Sequence, residues 1–326
     1  MTFDPTKLHV ELEHKHARPL TACHWDPADR YVFFGAEDNL VHRFELATKT
    51  VVPLAAHDSW VRALGSSPDG QTLYSGGYDG RLAWWPAAAE RPSPTRMIDA
   101  HDGWVRALAV SGDGRWIATC GNDRLVKLWD AAAGTLVHAL AAHKSHVYNA
   151  AFSPDGSRLY SCDLHGNVLA WNLADATHSP LVVIAELHAY DTTFRADIGG
   201  ARCIAVRGDG ARVALGGITN VSNAFAGVGE AAVAIIDSAA GKLARLLKSK
   251  DKTQGAAWGL CAHPAGYWIA LTGGGGGGWF FFWKDDSDQE FHRLRLKSDG
   301  RGLAVSPNHA RFAVAHADAH LRLYSP

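Results

Sequence analysis

The chain has 326 residues, with 32 lysines and arginines against 33 aspartates and glutamates, so its formal charge is −1 with 18 neutral histidines. That balance gives no bulk attraction to nucleic acid or to an anionic membrane surface, and a 47% hydrophobic share excludes disorder along the whole chain. The five cysteines, Cys23, Cys120, Cys162, Cys203 and Cys261, are odd in number and never spaced C-x-x-C. This argues against a disulfide framework or a cysteine zinc site, and for a reducing, cytoplasmic location.

In chain order, the polar N-terminus lacks the apolar core of a signal peptide, and residues 7–13 alternate as a strand with no unit of their own. Four similar segments follow, beginning at His16, His57, His101 and His143, at offsets of 41, 44 and 42 residues. HDSWVRALGSSPDGQTLYSGGYDGRLAWW (57–85) and HDGWVRALAVSGDGRWIATCGNDRLVKLW (101–129) share 13 of 29 positions without a gap. Each copy reads as a period-two apolar run, a Pro-Asp-Gly type turn, a second run, a Gly/Asp turn, and a third run ending in an aromatic. That is three antiparallel strands joined by tight turns, and a fourth fits between copies. The two domains that length alone would suggest are therefore replaced by repeats of one sheet each, which bury a core by stacking.

At the third copy the residues resemble the WD-repeat β-propellers: His101 precedes the first strand, Thr119 lies in the second, Asp123 in the turn, and Trp129-Asp130 ends the third. The resemblance implies a buried hydrogen-bond network in which His connects Asp to Ser/Thr and to the Trp indole. The second copy repeats the set as His57, Ser75, Asp79 and Trp85. The fourth keeps His143, Ser161 and Trp171 but has His165 where Asp is expected, which predicts a locally weaker blade. The first keeps His16 and Asp38 but has Phe34 and Phe44.

Three further units follow on strand spacing and turns alone. Residues 253–283, free of charged residues and with nine glycines, read as two strands and a turn rather than a membrane span. The expected fold is all-β: one seven-bladed propeller over 1–326, with blades at about 16–54, 57–98, 101–140, 143–187, 197–247, 253–296 and 299–326. Strand 7–13 completes the last blade, which otherwise ends one strand short, and so closes the ring without open edges.

In this family the residue opening each first strand points to the channel mouth. Carried over by position, these are Thr21, Arg62, Arg106, Tyr148, Arg202, Trp258 and Arg301, with Trp60 and Trp104 two positions earlier. Four arginines and these aromatics make a site for an anionic or aromatic-bearing partner; alternatively Asp58, Asp102, Asp197 and Asp299 neutralise the arginines as local ion pairs. Two insertions fall on the same face: a 31-residue connection from Trp171 to Arg202, and a turn enlarged around 218–229. With Tyr190, Phe194, Arg195 and Phe225 they suggest a partner-specific wall, or inert loops. The glycine run 273–278 reads as a hairpin turn, since no P-loop pattern surrounds it.

No G-x-S-x-G, H-E-x-x-H or paired nucleophile and base is present, so no catalytic residue, cofactor or metal is assigned. His14, His309, His316 and His320 are candidate metal ligands, weighed against plain surface positions. The expected function is a non-enzymatic scaffold that binds a protein or peptide, an acidic one among the candidates, on the Arg/Trp face. Direct nucleic-acid binding and membrane insertion are not expected. The alternatives are a small anionic ligand, a metal or a reaction at the channel mouth, and a subunit that packs through the aromatic segment 279–283.

Overall fold

The computed structural model describes residues 3–223 and 228–326. Among them, strands form seven four-stranded antiparallel sheets and one two-stranded ribbon, with only two 3-10 turns, Pro5–Lys7 and Ala185–Leu187, as helical elements. Blades 1 to 3 run Leu20–Trp25 to Val51–Leu54, Val61–Ser66 to Arg96–Asp99, and Val105–Val110 to Leu136–Leu140. Blades 4 to 6 run Val147–Phe152 to His178–Val183, Ala201–Val206 to Lys242–Lys248, and Ala256–His263 to His292–Arg295. Blade 7 joins Gly300–Val305, Phe312–His316 and His320–Ser325 to the N-terminal strand His9–Lys15. That strand pairs antiparallel with His320–Ser325 from His9 opposite Ser325 to Lys15 opposite His320, so the two chain ends complete one blade as expected.

The chain divides into two compact units, 1–142 with 301–326, and 143–300. In the first, blade 1 packs against blade 7 through Phe34, Phe44, Ala313 and Leu321, and against blade 2 through Phe33, Val61, Leu73 and Trp85. In the second, blades 4 and 5 share Cys162, Val168, Val213 and Ile236, and blades 5 and 6 share Val233, Ile235, Trp268 and Phe281. The middle strands are buried on both faces, as in Tyr31–Ala36, where every residue is buried. Each fully buried Phe or Leu contributes about 1.5–3 kcal/mol relative to exposure, so stacking of sheets is the main source of stability.

Residues 253–283 hold three strand segments, not two, because Ala256–His263, Tyr267–Gly273 and Trp279–Lys284 all begin inside them. The glycine run forms the turn before Trp279. Gly274 and Gly277 have φ of 131° and 82°, and a Cβ on Gly278 would collide with the Ser298 carbonyl. Phe280, Phe281, Phe282 and Trp283 are at most 2% exposed, so this segment is core and not the packing rim considered from sequence. No helix among the described residues is long and apolar enough to cross a membrane.

Candidate functional site

Three blades carry a complete buried network. In blade 2, His57 Nδ1 lies 3.0 Å from Asp79 Oδ2, His57 Nε2 lies 2.8 Å from Ser75 Oγ, and the Trp85 indole donates to that hydroxyl at 2.8 Å. In blade 3, His101 holds Asp123 at 2.9 Å and Thr119 at 2.8 Å, and Trp129 donates to Thr119. The hydroxyl, rather than the imidazole, is thus the group that meets the indole. One proton arrangement satisfies all members: Nδ1–H donates to the carboxylate, the hydroxyl donates to Nε2 and accepts from Trp. Burial pushes the Asp123 carboxyl up, but hydrogen bonds from His101 and the Leu125 N–H, with the Lys127 charge nearby, overcome this and hold it at about 2.

Blade 4 corrects the sequence reading. His165 is not the network's substitute for Asp; Asp163, two positions earlier and fully buried, lies with Oδ2 3.1 Å from His143 Nδ1. Its other oxygen accepts from the backbone N–H of His165 and of Asn167, each at 3.0 Å. His143 Nε2 and the Trp171 indole meet Ser161 as in the other blades. The physical reason lies in the residue that ends the second strand. In blades 2 and 3 it is Gly77 or Gly121, where a Cβ would overlap the imidazole, 2.6 Å from His57 Nδ1 in the first case. In blade 4 that position carries a side chain, and the side chain is the carboxylate. The weakness expected from a missing acid therefore has no basis.

Blade 1 is rewired. With Phe34 in place of the hydroxyl, His16 turns Nε2 toward Asp38 at 2.9 Å, and His42 Nε2 shares the same oxygen at 3.0 Å. In blade 6, Trp283 keeps the aromatic position, but Ala270 stands where the hydroxyl should be and the buried indole nitrogen has no hydrogen-bond partner.

The residues expected at the strand openings share one backbone feature. In blades 1 to 6 the register of the first strand slips by one: Leu20 opposes Ala36 while Ala22 opposes Gly35, and likewise at Val61/Ala63, Val105/Ala107, Val147/Asn149, Ala201/Cys203 and Ala257/Gly259. The residues that the register skips are Thr21, Arg62, Arg106, Tyr148, Arg202 and Trp258. A β-bulge of this kind re-aims one side chain out of the alternation, and such bulges recur beside functional sites.

In the first unit, Arg62 donates to the Thr21 carbonyl at 2.5 Å, Arg106 donates through Nε to Asn122 Oδ1 at 2.6 Å, and Arg301 pairs with Glu37 at 2.6 Å. Trp60 and Trp104 are each 41% exposed. Tyr78 stacks on Trp104 at 4.1 Å, nearly parallel, and Arg106 lies 4.7 Å over the same indole. In the second unit Arg202 sits over both Tyr148 at 4.7 Å and Trp258 at 5.3 Å.

The expected neutralising set differs from the observed one. Asp58 pairs with Arg81, Asp197 faces two histidines, and Arg301 instead finds Glu37. Glu37, Tyr78 and Asn122 were missed, yet they occupy one repeat position, directly before the turn aspartate. Their backbone N–H groups donate to the carbonyls of Pro19, Trp60 and Trp104. The signal in the sequence was the residue preceding Asp38, Asp79 and Asp123.

The family model for the WD domain, G-beta repeat, matches residues 48–85, 92–130 and 134–172, the stretches that carry these networks. No curated protein matches the chain. The chain thus carries WD repeats, matched in blades 2 to 4, within a set of seven four-stranded blades.

Its departures from the repeat fall in blades 4 and 5. The long connection after Trp171 contains its own ribbon, His188–Asp191 with Ala196–Gly199, and exposes Tyr190 and Phe194. The described residues on either side of 224–227 extend the hairpin: Arg212–Asn223 and Val228–Asp237 pair Thr219 with Glu230 and Asn223 with Val228. Phe225 lies outside the described residues. The terminal histidines do not converge as a metal set. His316 is fully buried against the Tyr324 hydroxyl at 3.2 Å, His320 bonds the Asp318 carbonyl, and His14 packs on Phe44. Among the described residues, the groupings that bring His and acid together at ligand spacing are His16–Asp38–His42 and His165–His188–Asp197.

Proposed function

We propose that this WD-repeat protein is a non-enzymatic scaffold that holds a peptide or partner domain on the side of its blades where the bulged residues project. WD-repeat propellers are in general protein-interaction scaffolds. The observation that carries the reading for this chain is the exposed ladder Trp60–Tyr78–Trp104 capped by Arg106. With Tyr78 stacked on Trp104 and Trp60 tilted against Tyr78, these faces are held in place and cost little ordering entropy on binding, and Trp, Tyr and Arg are the side chains enriched in binding hot spots. Residues 1–326 act as one propeller in this proposal, and a carboxylate on the partner suits the guanidinium beside Trp104.

The test is a displayed peptide library selected on the intact protein, followed by direct affinity measurement on wild type and the Trp60→Ala/Trp104→Ala double variant. Hot-spot truncations cost about 2 kcal/mol or more each, so a loss of at least tenfold is expected. Selected peptides that bind the double variant as tightly as wild type would remove the proposal.

A second reading, a small anionic ligand, has one specific support. Arg202 is held between Tyr148 and Trp258 with its buried Nε lacking a hydrogen-bond partner, and an anionic oxygen would satisfy it. Binding of inorganic phosphate that Arg202→Lys loses and the Trp60→Ala/Trp104→Ala variant keeps would favour that reading.

A further inference from the structure

The insertion after blade 4 brings three metal-competent side chains to one point. His165 sits in the turn between Arg158–Asp163 and Asn167–Asn172, its backbone N–H tied to Asp163 Oδ1. His188 opens the first strand of the ribbon and Asp197 lies in the second. Because His188 opposes Gly199 in register, Asp197 is its diagonal neighbour and shares its face. His188 Nε2 lies 2.8 Å from Asp197 Oδ1, and His165 Nε2 lies 3.1 Å from Asp197 Oδ2.

The two contacts are not equivalent. The first has hydrogen-bond geometry; the second does not, so the buried Nε2 of His165 is left without a hydrogen-bond partner despite a carboxylate oxygen beside it. At His16–Asp38–His42, by contrast, both imidazoles make good hydrogen bonds to the shared carboxylate and belong to the rewired blade network. His165 has no such duty, since Asp163 performs the role its position would have in the repeat.

We propose that His165, His188 and Asp197 form a divalent transition-metal site that clasps the ribbon to blade 4. Ligand distances of about 2.0–2.2 Å around a tetrahedral ion place ligand atoms about 3.3 Å apart, close to the 2.8 and 3.1 Å found between the nitrogens and the carboxylate. All three ligand atoms lie within 4.8 Å of one another. Two imidazoles with one carboxylate favour Zn2+, Ni2+ or Cu2+ over Mg2+ or Ca2+, which prefer oxygen ligands alone. The side chains are 34%, 26% and 38% exposed, which leaves a fourth position open to water or to a ligand from a partner. This site is independent of the Trp60–Trp104 reading.

The test strips the purified protein with EDTA and titrates Zn2+ in competition with a chromophoric chelator. Wild type is compared with His165→Ala, His188→Gln, Asp197→Asn and, as a control for the other grouping, His42→Ala, each with circular dichroism to confirm folding. One site of micromolar or tighter affinity is expected, weakened at least tenfold by each of the first three substitutions and unchanged by the fourth. Co2+ should give one equivalent of a visible absorption band that His188→Gln removes. Absence of micromolar Zn2+ binding to wild type would overturn the proposal, and so would binding unaffected by His188→Gln and Asp197→Asn or lost in His42→Ala.

Discussion

Asp163 Oδ2 lies 3.1 Å from His143 Nδ1, so the acid of the fourth blade comes from the end of a strand rather than from the following turn. Asp163→Ala strands the imidazole N–H and the N–H groups of His165 and Asn167 in a buried site, and is expected to cost about 3 kcal/mol or more. His165→Ala, at a third-exposed position, should cost under about 1 kcal/mol. Urea denaturation of the two variants checks the order; equal losses would contradict it.

The same geometry makes Gly77 and Gly121 intolerant of a side chain unless the imidazole is changed too. Gly77→Ala places a Cβ 2.6 Å from His57 Nδ1, within the blade 2 network, and should destabilise by about 2–4 kcal/mol. Adding His57→Ala should recover part of that loss, since it removes one of the two groups in collision, the other being the Asp79 carboxylate. A double-mutant cycle by denaturation gives the coupling.

Acid should unfold the protein through these networks. The carboxyls of Asp79, Asp123 and Asp163 are each pushed up by burial, but hydrogen bonds from their histidines and from backbone N–H groups win and hold them below the usual 3.8. A carboxyl with a depressed folded value stabilises fully above its unfolded value and loses that contribution as pH falls through the folded one. Asp123, held at about 2, contributes about 2 kcal/mol that should disappear between about pH 4 and pH 2. Stability measured at descending pH should fall in that window, and less steeply in Asp123→Asn.

Trp283 offers a gain of stability. Its indole N–H is buried without a partner, while Trp85, Trp129 and Trp171 donate to a hydroxyl two residues beyond the cross-strand neighbour. Ala270 holds that position in blade 6, two residues after Trp268, which faces Trp283. Ala270→Ser should therefore stabilise by about 1 kcal/mol, read as a higher urea midpoint. A lower midpoint would mean that the core has no room for the oxygen.

The thiols should be silent in the native state. Burial raises Cys203 and Cys261 to about 12, and Cys23 likewise despite backbone hydrogen bonds that pull it down; none of the five cysteines is in a disulfide. A thiol-specific chromogenic disulfide at pH 8 should react slowly with folded protein and with five thiols per chain in denaturant. Rapid reaction of any one thiol in native protein would contradict this.

The repeat of His, Ser/Thr, Asp and Trp at near-constant offsets was sufficient, read as sequence, to establish all-β blades, their number, the N-terminal strand that completes the last one, and two of the three full networks. These features are periodic, and periodicity survives in one dimension because each blade solves the same packing problem with the same local turns. The bulged positions Arg62, Arg106, Arg202 and Trp258 were also legible, as positions. What surrounds them was not: that Glu37 meets Arg301, that Tyr78 lies on Trp104, and that the ribbon sets His188 and Asp197 beside His165 depend on contacts across 9 to 264 residues of sequence. Asp163 shows the limit most directly. A carboxylate moved by two residues breaks the sequence pattern yet reaches the same imidazole, because the network is defined by where the oxygen lies in space and not by which residue delivers it.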